Sequence, residues 1–227
     1  FASRAAQSVL REMRNPEPPI PLEQYIAWKK WKVTYEELFG PDGYMLKLRH
    51  GNRTKFFIYL ATDNEGNFDE NTIRRRQYFT LAHELGHILL HGNYILNSNE
   101  DMSRIPKNVA DILEVEAHWF ASCLLMPNYA FQSVVDLIPE QLAKKCRVNY
   151  TPAVKRLKNL DKKIRSRLLR NAEFKDHPDS SILICPNCWN VHNRNQKDQS
   201  LCQDCGDALF DIQSVLEVVA AFQEQTM

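Results

Sequence analysis

The 227-residue sequence lacks long hydrophobic runs, a large net charge, internal repeats and low-complexity segments. No apolar stretch approaches the roughly 18 residues of a membrane-spanning helix, so no contact with a membrane is predicted. The first residues lack the apolar core of a secretory signal, which favours a cytoplasmic location. A net charge of +1 argues against binding a polyanion through the overall charge. Hydrophobic residues make up 44% of the chain, which suffices for a sizeable core.

The six cysteines fall into two classes. Cys123 and Cys146 stand alone within apolar segments and are predicted to be core residues. The other four form two Cys-x-x-Cys pairs that are separated by thirteen residues. In a chain without a secretion signal this spacing favours metal binding over disulfides, and it predicts a C-terminal zinc ribbon with a structural zinc ion. The predicted ligands are Cys185, Cys188, Cys202 and Cys205, rather than the nearby His192.

Residues 83–87, His-Glu-Leu-Gly-His, have the pattern H-E-x-x-H on a predicted helix. Residues four positions apart share a helical face, so the two imidazoles can bind one zinc ion. Glu84 is rotated by about 100° from His83, so it can act as a base on a water without binding the metal. Hydrolysis at a zinc ion needs this division between ligands and base.

Two alternatives to a metal site are a solvated helical face and a histidine pair with a purely structural role. The apolar residues around the motif recur at helical spacing, which predicts a buried helix and argues against the solvated face. A buried His-Glu pair is costly without a partner, and a metal ion supplies one. The apolar residues in question are Phe79, Ala82, Leu85, Ile88 and Leu89.

His91 lies one turn further along this helix and directly before Gly92. A helix is expected to end at such a glycine, and a cation is favoured at that end by the helix dipole. The sequence favours this role for His91, and a role in supporting the metal ligands is the alternative.

The chain as a whole predicts a mainly helical α+β fold with a small antiparallel sheet. A strand is predicted over residues 32–35, followed by a hairpin of residues 44–49 and 55–60 around a Gly-Asn turn. Asp69 or Asn71 is expected to cap the H-E-x-x-H helix. Further helices are predicted over residues 2–14, 22–31, a stretch ending at Met126, 129–137, 139–147, 151–169 and 209–222.

Residues 144–170 hold eleven lysines and arginines against a single acidic residue, Asp161. A solvated basic surface is one interpretation. The other is a surface that contacts DNA or an acidic partner.

A catalytic zinc usually has three protein ligands and a water, so one more ligand is expected. Glu114 and Glu116 lie on the two edges of the apolar stripe of the helix that ends at Met126. Periodicity does not choose between them, and two solvated carboxylates are also compatible with the pattern.

These two motifs together resemble the ImmA/IrrE family of metallopeptidases. The resemblance is carried by residues 76–91, Arg-Gln-Tyr-Phe-Thr-Leu-Ala-His-Glu-Leu-Gly-His-Ile-Leu-Leu-His, and by the Glu-x-Glu-Ala pattern that opens residues 114–127. It covers residues 5–160 and leaves the cysteine module outside. It implies a gluzincin-like metallopeptidase domain.

The resemblance also implies the roles of particular residues. His83, His87 and Glu114 match the family's zinc ligands, and Glu84 matches its catalytic glutamate. A site of two imidazoles and one carboxylate is expected to accept Mn²⁺ as a substitute. His118 stands where the family usually has Asn or Asp, so it is a candidate for supporting the metal ligands.

The implied function is a cytoplasmic zinc-dependent endopeptidase that cuts a helix-turn-helix transcriptional repressor and so derepresses mobile-element or stress genes. One rival is a regulator that keeps the peptidase fold and binds DNA or protein through the basic helices and the ribbon. Another is a zinc hydrolase of a non-peptide substrate. The intact Glu84 argues against the regulator, and nothing in the sequence excludes the second rival.

The predicted domains are a metallopeptidase domain over residues 1–138, a basic helical segment over 139–175 and a zinc ribbon with a terminal helix over 176–227. The donor that stabilises the oxyanion of peptide hydrolysis is not identified by the sequence. Tyr94, His118 and Tyr150 are its candidates.

Overall fold

The computed structural model describes residues 1–50, 53–62, 68–92, 105–170, 182–185, 191–193, 201–202 and 209–211. The chain divides into two compact units, Phe1–Pro127 with Lys145–Asn149, and Asn128–Lys144 with Tyr150–Met227. No helix in these described ranges is long and apolar enough to cross a membrane. The domain boundaries predicted after residues 138 and 175 stay predictions.

The first unit combines long helices with a small sheet, in agreement with the predicted α+β class. Its helices are α1 (Ala2–Glu12), α2 (Leu22–Lys29), α3 (Glu70–His91) and α4 (Lys107–Leu125), and its strands are β1 (Lys32–Glu36), β2 (Gly43–His50) and β3 (Arg53–Ala61). Helix α4 packs against both α1 and α3, and α3 also contacts β2 and β3. Cys123 and Cys146 are buried core residues, as predicted.

The sheet of the first unit has the strand order β1-β3-β2. The predicted hairpin of β2 and β3 is confirmed, with Met45 opposite Ile58. The sheet is mixed, however, because β1 pairs with β3 in parallel, and the prediction of an antiparallel sheet is wrong for this pair. The chain crosses the sheet between β1 and β2, so β3 becomes the central strand. Ile58 and Leu60, two positions apart on β3, bury the same face in the core.

Helix α3 is buried over most of its second half, as the sequence predicts. Ala82, Leu85 and Ile88 are buried, together with the polar side chains of Glu84, His87 and His91. Phe79 is only partly buried and Leu89 is exposed, so the expectation that Leu89 belongs to the buried stripe is wrong. The motif's own polar residues occupy the inward face that an apolar stripe would otherwise fill.

The second unit contains short helices. They are two 3-10 turns (Asn128–Ala130 and Val134–Leu137), α5 (Pro139–Cys146, which ends in the first unit), α6 (Tyr150–Lys158) and α7 (Lys162–Arg170). The single helix predicted over 151–169 is thus divided, because the backbone N–H of Lys163 is capped by Asp161. The helix predicted over 129–137 forms only the two 3-10 turns.

The basic segment is not wholly a surface feature. Arg156 donates to Asn128 Oδ1 at 2.7 Å, and Arg165 donates to the carbonyl oxygen of Leu157. Both arginines are buried, so neither can contact a DNA phosphate in this conformation.

The C-terminal strands β4 (Ile182–Ile184), β5 (Val191–Asn193) and β6 (Phe210–Asp211) form an antiparallel sheet of order β5-β4-β6. Cys185 and Cys202 are buried, whereas Cys188 and Cys205 lie outside the described residues. The helix predicted over 209–222 is wrong at its start, since residues 210–211 are a strand, and its remainder lies outside the described residues.

Candidate metal centre

Helix α3 is fixed at its N-terminus by a side-chain cap. The carboxylate of Asp69 accepts hydrogen bonds from the backbone N–H groups of Asn71 and Thr72, at 3.0 and 3.1 Å. Of the two predicted caps, Asp69 therefore has this role. The pKa of Asp69 is lowered, mainly because its carboxylate accepts hydrogen bonds from the side chain and the backbone of Thr72.

The glycine of the H-E-x-x-H motif allows α3 and α4 to approach closely. A Cβ atom on Gly86 would lie 3.0 Å from the Cα atom and 3.1 Å from the carbonyl oxygen of Ala117. Because these are backbone atoms, the backbone of α4 would have to shift by a few tenths of an ångström to make room. The small residues at both positions thus bring the Glu-x-Glu pattern of α4 up to the histidines of α3.

Three potential metal ligands converge where the two helices meet. His83 Nε2 lies 3.0 Å from His87 Nε2 and 3.1 Å from Glu114 Oε2. His87 Nε2 lies 3.2 Å from Glu114 Oε1. In the part of the chain that the structure describes, these are the residues whose ligand atoms are grouped closely enough to hold a metal ion.

The spacing of these atoms fits a divalent metal. Ligands at the zinc–nitrogen distance of a tetrahedral site would lie about 3.3 Å from one another, close to the observed separations. The two carboxylate oxygens carry lone pairs and each imidazole nitrogen does so in one of its tautomers, so a proton or a cation must lie among these four atoms at such distances. His83, His87 and Glu114 can therefore hold a metal ion, and the structure brings together the three residues that the resemblance to the ImmA/IrrE family implies as ligands.

The electrostatics of Glu114 match a role as an ionised ligand. Its side chain is 56% exposed, and the hydrogen bonds from His83 and His87 hold its pKa far below the ordinary value, despite an opposing effect of partial burial. Glu114 is therefore a carboxylate at neutral pH.

Glu84 is in a different environment. It is only 6% exposed, and burial raises its pKa, while the nearby His87 and His83 act in the opposite direction. A carboxyl group with a raised pKa accepts a proton more readily near neutral pH, which suits a general base.

The structure does not agree with the favoured role of His91 as a cation at the end of α3. His91 is buried, and this lowers its pKa even though Glu116 opposes the shift. The cation at this helix end is Lys47 of β2, which donates to the carbonyl oxygen of Gly92. Helix α3 does end at His91, before Gly92, as predicted.

Glu116 and Glu114 contact different histidines. The Oε2 atom of Glu116 lies 3.1 Å from His91 Nε2, whereas Glu114 contacts His83 and His87. The contact between Glu116 and His91 was not predicted from the sequence. The position of His91 four residues after His87 was the available signal.

A cavity of about 600 Å³ opens over the three potential ligands and Glu84. One side is formed by the start of β2, with Gly43, Tyr44 and Met45. Gly43 is required there, because a Cβ atom would lie 2.7 Å from Thr80 Cγ2 and 2.9 Å from the carbonyl oxygen of Tyr59. No pattern in the sequence indicated that β2 borders the site.

His118 also lines this cavity. Its ring centroid lies 5.6 Å from that of His83 and 5.0 Å from that of Phe79. Of the other candidate oxyanion donors, Tyr94 lies outside the described residues and Tyr150 belongs to the second compact unit.

Comparison with known proteins agrees with the site. Residues 69–158 match the family model Peptidase_M78, the IrrE N-terminal-like domain. The resemblance to the ImmA/IrrE family is thereby confirmed over these residues, which include the whole of α3 and α4. A search of curated proteins gives no significant match.

Proposed function

With residues 69–158 as an IrrE N-terminal-like domain, we propose that the chain is a zinc-dependent endopeptidase. The observation that carries this proposal is the convergence of His83, His87 and Glu114 at the floor of the cavity that Glu84 also lines. Two imidazoles, one carboxylate and a separate carboxyl base are the groups that metal-assisted peptide hydrolysis needs.

In this proposal His83, His87 and Glu114 hold the metal, which supplies Lewis-acid chemistry when bound. The Glu84 carboxylate accepts the proton of the attacking water and then donates it to the amine nitrogen of the leaving peptide. Burial of Glu84 favours its protonated form, which assists the first of these steps.

The edge strand β2 supports a peptide as the substrate. In the described sheet β2 pairs with β3 alone, and its first residues border the cavity. An edge strand offers backbone N–H and C=O groups with which an extended peptide can pair. This favours an endopeptidase over the hydrolase of a non-peptide substrate.

The proposed substrate is a helix-turn-helix repressor, and its support is the resemblance to the ImmA/IrrE family alone. Contact with DNA through residues 144–170 is a weaker proposal, because Arg156 and Arg165 are buried. A structural zinc at Cys185, Cys188, Cys202 and Cys205 also remains a proposal. His192 Nε2 lies 3.4 Å from Cys202 Sγ, so His192 is an additional candidate ligand for that zinc ion.

The function is tested by incubating the full chain with helix-turn-helix repressors encoded near its gene, with Zn²⁺ or Mn²⁺, and following cleavage on a gel. We expect one or more repressors to be cut, and a chelator to stop the reaction. Glu84→Gln should lower the cleavage rate by at least about 100-fold, since a general base contributes that much or more, while the zinc content stays unchanged. Cleavage by Glu84→Gln at the wild-type rate would contradict the mechanism.

A further inference from the structure

His91 is a buried polar residue near the metal centre for which the proposed chemistry gives no role. It is 2% exposed, and both of its ring nitrogens have partners. Nδ1 lies 3.2 Å from His87 Nδ1, and Nε2 lies 3.1 Å from Glu116 Oε2. His91 therefore connects a potential metal ligand on α3 with a carboxylate on α4.

One arrangement of hydrogens satisfies this chain of contacts. His87 directs Nε2 towards His83 and Glu114, and a nitrogen that binds a metal carries no hydrogen. Neutral His87 then carries its hydrogen on Nδ1 and donates it to Nδ1 of His91. His91 must in turn carry its own hydrogen on Nε2, where the carboxylate of Glu116 accepts it.

We propose that His91 and Glu116 are positioning residues, which hold the ring of His87 in the orientation and tautomer that leave Nε2 available to a metal ion. Histidine ligands commonly donate their second N–H to a carboxylate or a carbonyl oxygen. Here the carboxylate of Glu116 acts on His87 indirectly, through the imidazole of His91. This inference rests on the proposed metal site.

The arrangement gives the two carboxylates of the Glu-x-Glu pattern different tasks. Glu114 contacts the nitrogens that face the metal position. Glu116 contacts the far side of the same histidine array, with its side chain 34% exposed. Because Lys47 already donates to the end of α3, His91 is not needed there as a cation.

The first test measures zinc affinity of the full chain by competition with a chromophoric chelator. His83→Ala gives the background from other zinc sites. We expect His91→Leu and Glu116→Ala each to weaken binding at this site by about 10- to 100-fold, the usual effect of losing a group that orients a ligand. Asp111→Ala, which removes an exposed carboxylate from the same helix, should leave the affinity unchanged.

The double variant His91→Leu with Glu116→Ala distinguishes a relay from two independent effects. In a relay Glu116 acts through His91, so the double variant should bind no more weakly than His91→Leu alone. His91→Asn, whose amide oxygen can still accept from His87, should recover most of the affinity. If His91→Leu fails to fold, the affinity of His91→Asn still tests the proposal.

The second readout is the tautomer itself, observed by ¹⁵N–¹H correlation spectra of the imidazoles in the zinc-loaded chain. We expect hydrogen on Nδ1 of His87 and on Nε2 of His91, and a residue that only fills space would not fix either position. Hydrogen on Nδ1 of His91, additive losses in the double variant, or wild-type affinity in both single variants would each overturn the proposal. If wild type binds no more zinc than His83→Ala, the metal site itself is wrong and the relay fails with it.

Discussion

Two groups of polar side chains can be compared, one in each compact unit. In the first unit, His83, His87 and Glu114 direct potential metal-ligand atoms at one another, within 3.2 Å. In the second unit, Arg156 and Arg165 direct N–H donors at acceptors, namely Asn128 Oδ1 and the carbonyl oxygen of Leu157.

This difference in hydrogen-bonding groups distinguishes a candidate binding site in the first unit from structural contacts in the second. Each arginine has an acceptor within the protein, so its burial needs no ligand. In the first unit, hydrogen bonds from both Nε2 atoms to Glu114 leave two N–H groups facing each other at 3.0 Å, and a cation in their place removes that conflict. Of these two groups, the one in the first unit is therefore the candidate for a metal ion.

The largest expected effect comes from removing one of the converging ligands. Glu114→Ala leaves two imidazoles, and we expect it to lose one metal ion per chain. Glu116→Ala should stay loaded at saturating zinc, because it acts on the orientation of a ligand and not as one. Metal content of the two purified variants provides the measurement, and loss of the ion only from the Glu116 variant would mean that the carboxylates are assigned in reverse.

A smaller effect is expected when the helices that carry the ligands are forced apart. Gly86→Ala places a Cβ atom 3.0 Å from the Cα atom of Ala117, and overpacking of this kind typically costs about 1–3 kcal/mol. Since α3 and α4 carry different ligands, zinc affinity should fall together with Tm. A variant with a lower Tm and wild-type affinity would show that the close contact is not needed for the site.

The arginines of the second unit should affect stability alone. Arg165→Met removes this donor and leaves the carbonyl oxygen of Leu157 with the backbone N–H of Leu160 alone. A hydrogen bond from a charged group contributes about 1.5–3 kcal/mol. We expect a lower free energy of unfolding in urea and no change in zinc affinity. Lys163→Met, an exposed change on the same helix, is the matched control and should have little effect. A loss of zinc from Arg165→Met would contradict the prediction that the arginines of the second unit do not affect metal binding.

The smallest expected effect concerns the cap of α3. The pKa of Asp69 is lowered in the folded chain, so its ionised form stabilises the fold at neutral pH and this stabilisation is lost as the pH falls through the folded-state value. Asp69→Ala should therefore lower Tm slightly at pH 7, with a difference that shrinks in acid. Asp69→Asn, which can still cap but does not titrate, should keep most of the Tm at neutral pH. A constant difference between Asp69→Ala and wild type at all pH values would exclude the charge as its cause.

Much of the helix that carries the site could be predicted from local sequence. The spacing of the H-E-x-x-H motif places both histidines on one face, and the Asp69 cap and Gly92 are local signals for the two ends of α3. The hairpin of β2 and β3 follows from alternating residues around a turn in the same way. The match of residues 69–158 to the IrrE N-terminal-like domain agrees with these patterns.

Contacts between distant segments were decided by the tertiary structure. Periodicity places Glu114 and Glu116 on the edges of one stripe, but only the approach of α4 at Gly86 directs the first to His83 and the second to His91. Likewise, nothing local indicates that Lys47 contacts the end of α3 or that β1 lies parallel to β3. A helical or strand period fixes which face a residue occupies, whereas the partner on that face depends on which segments pack together across the fold.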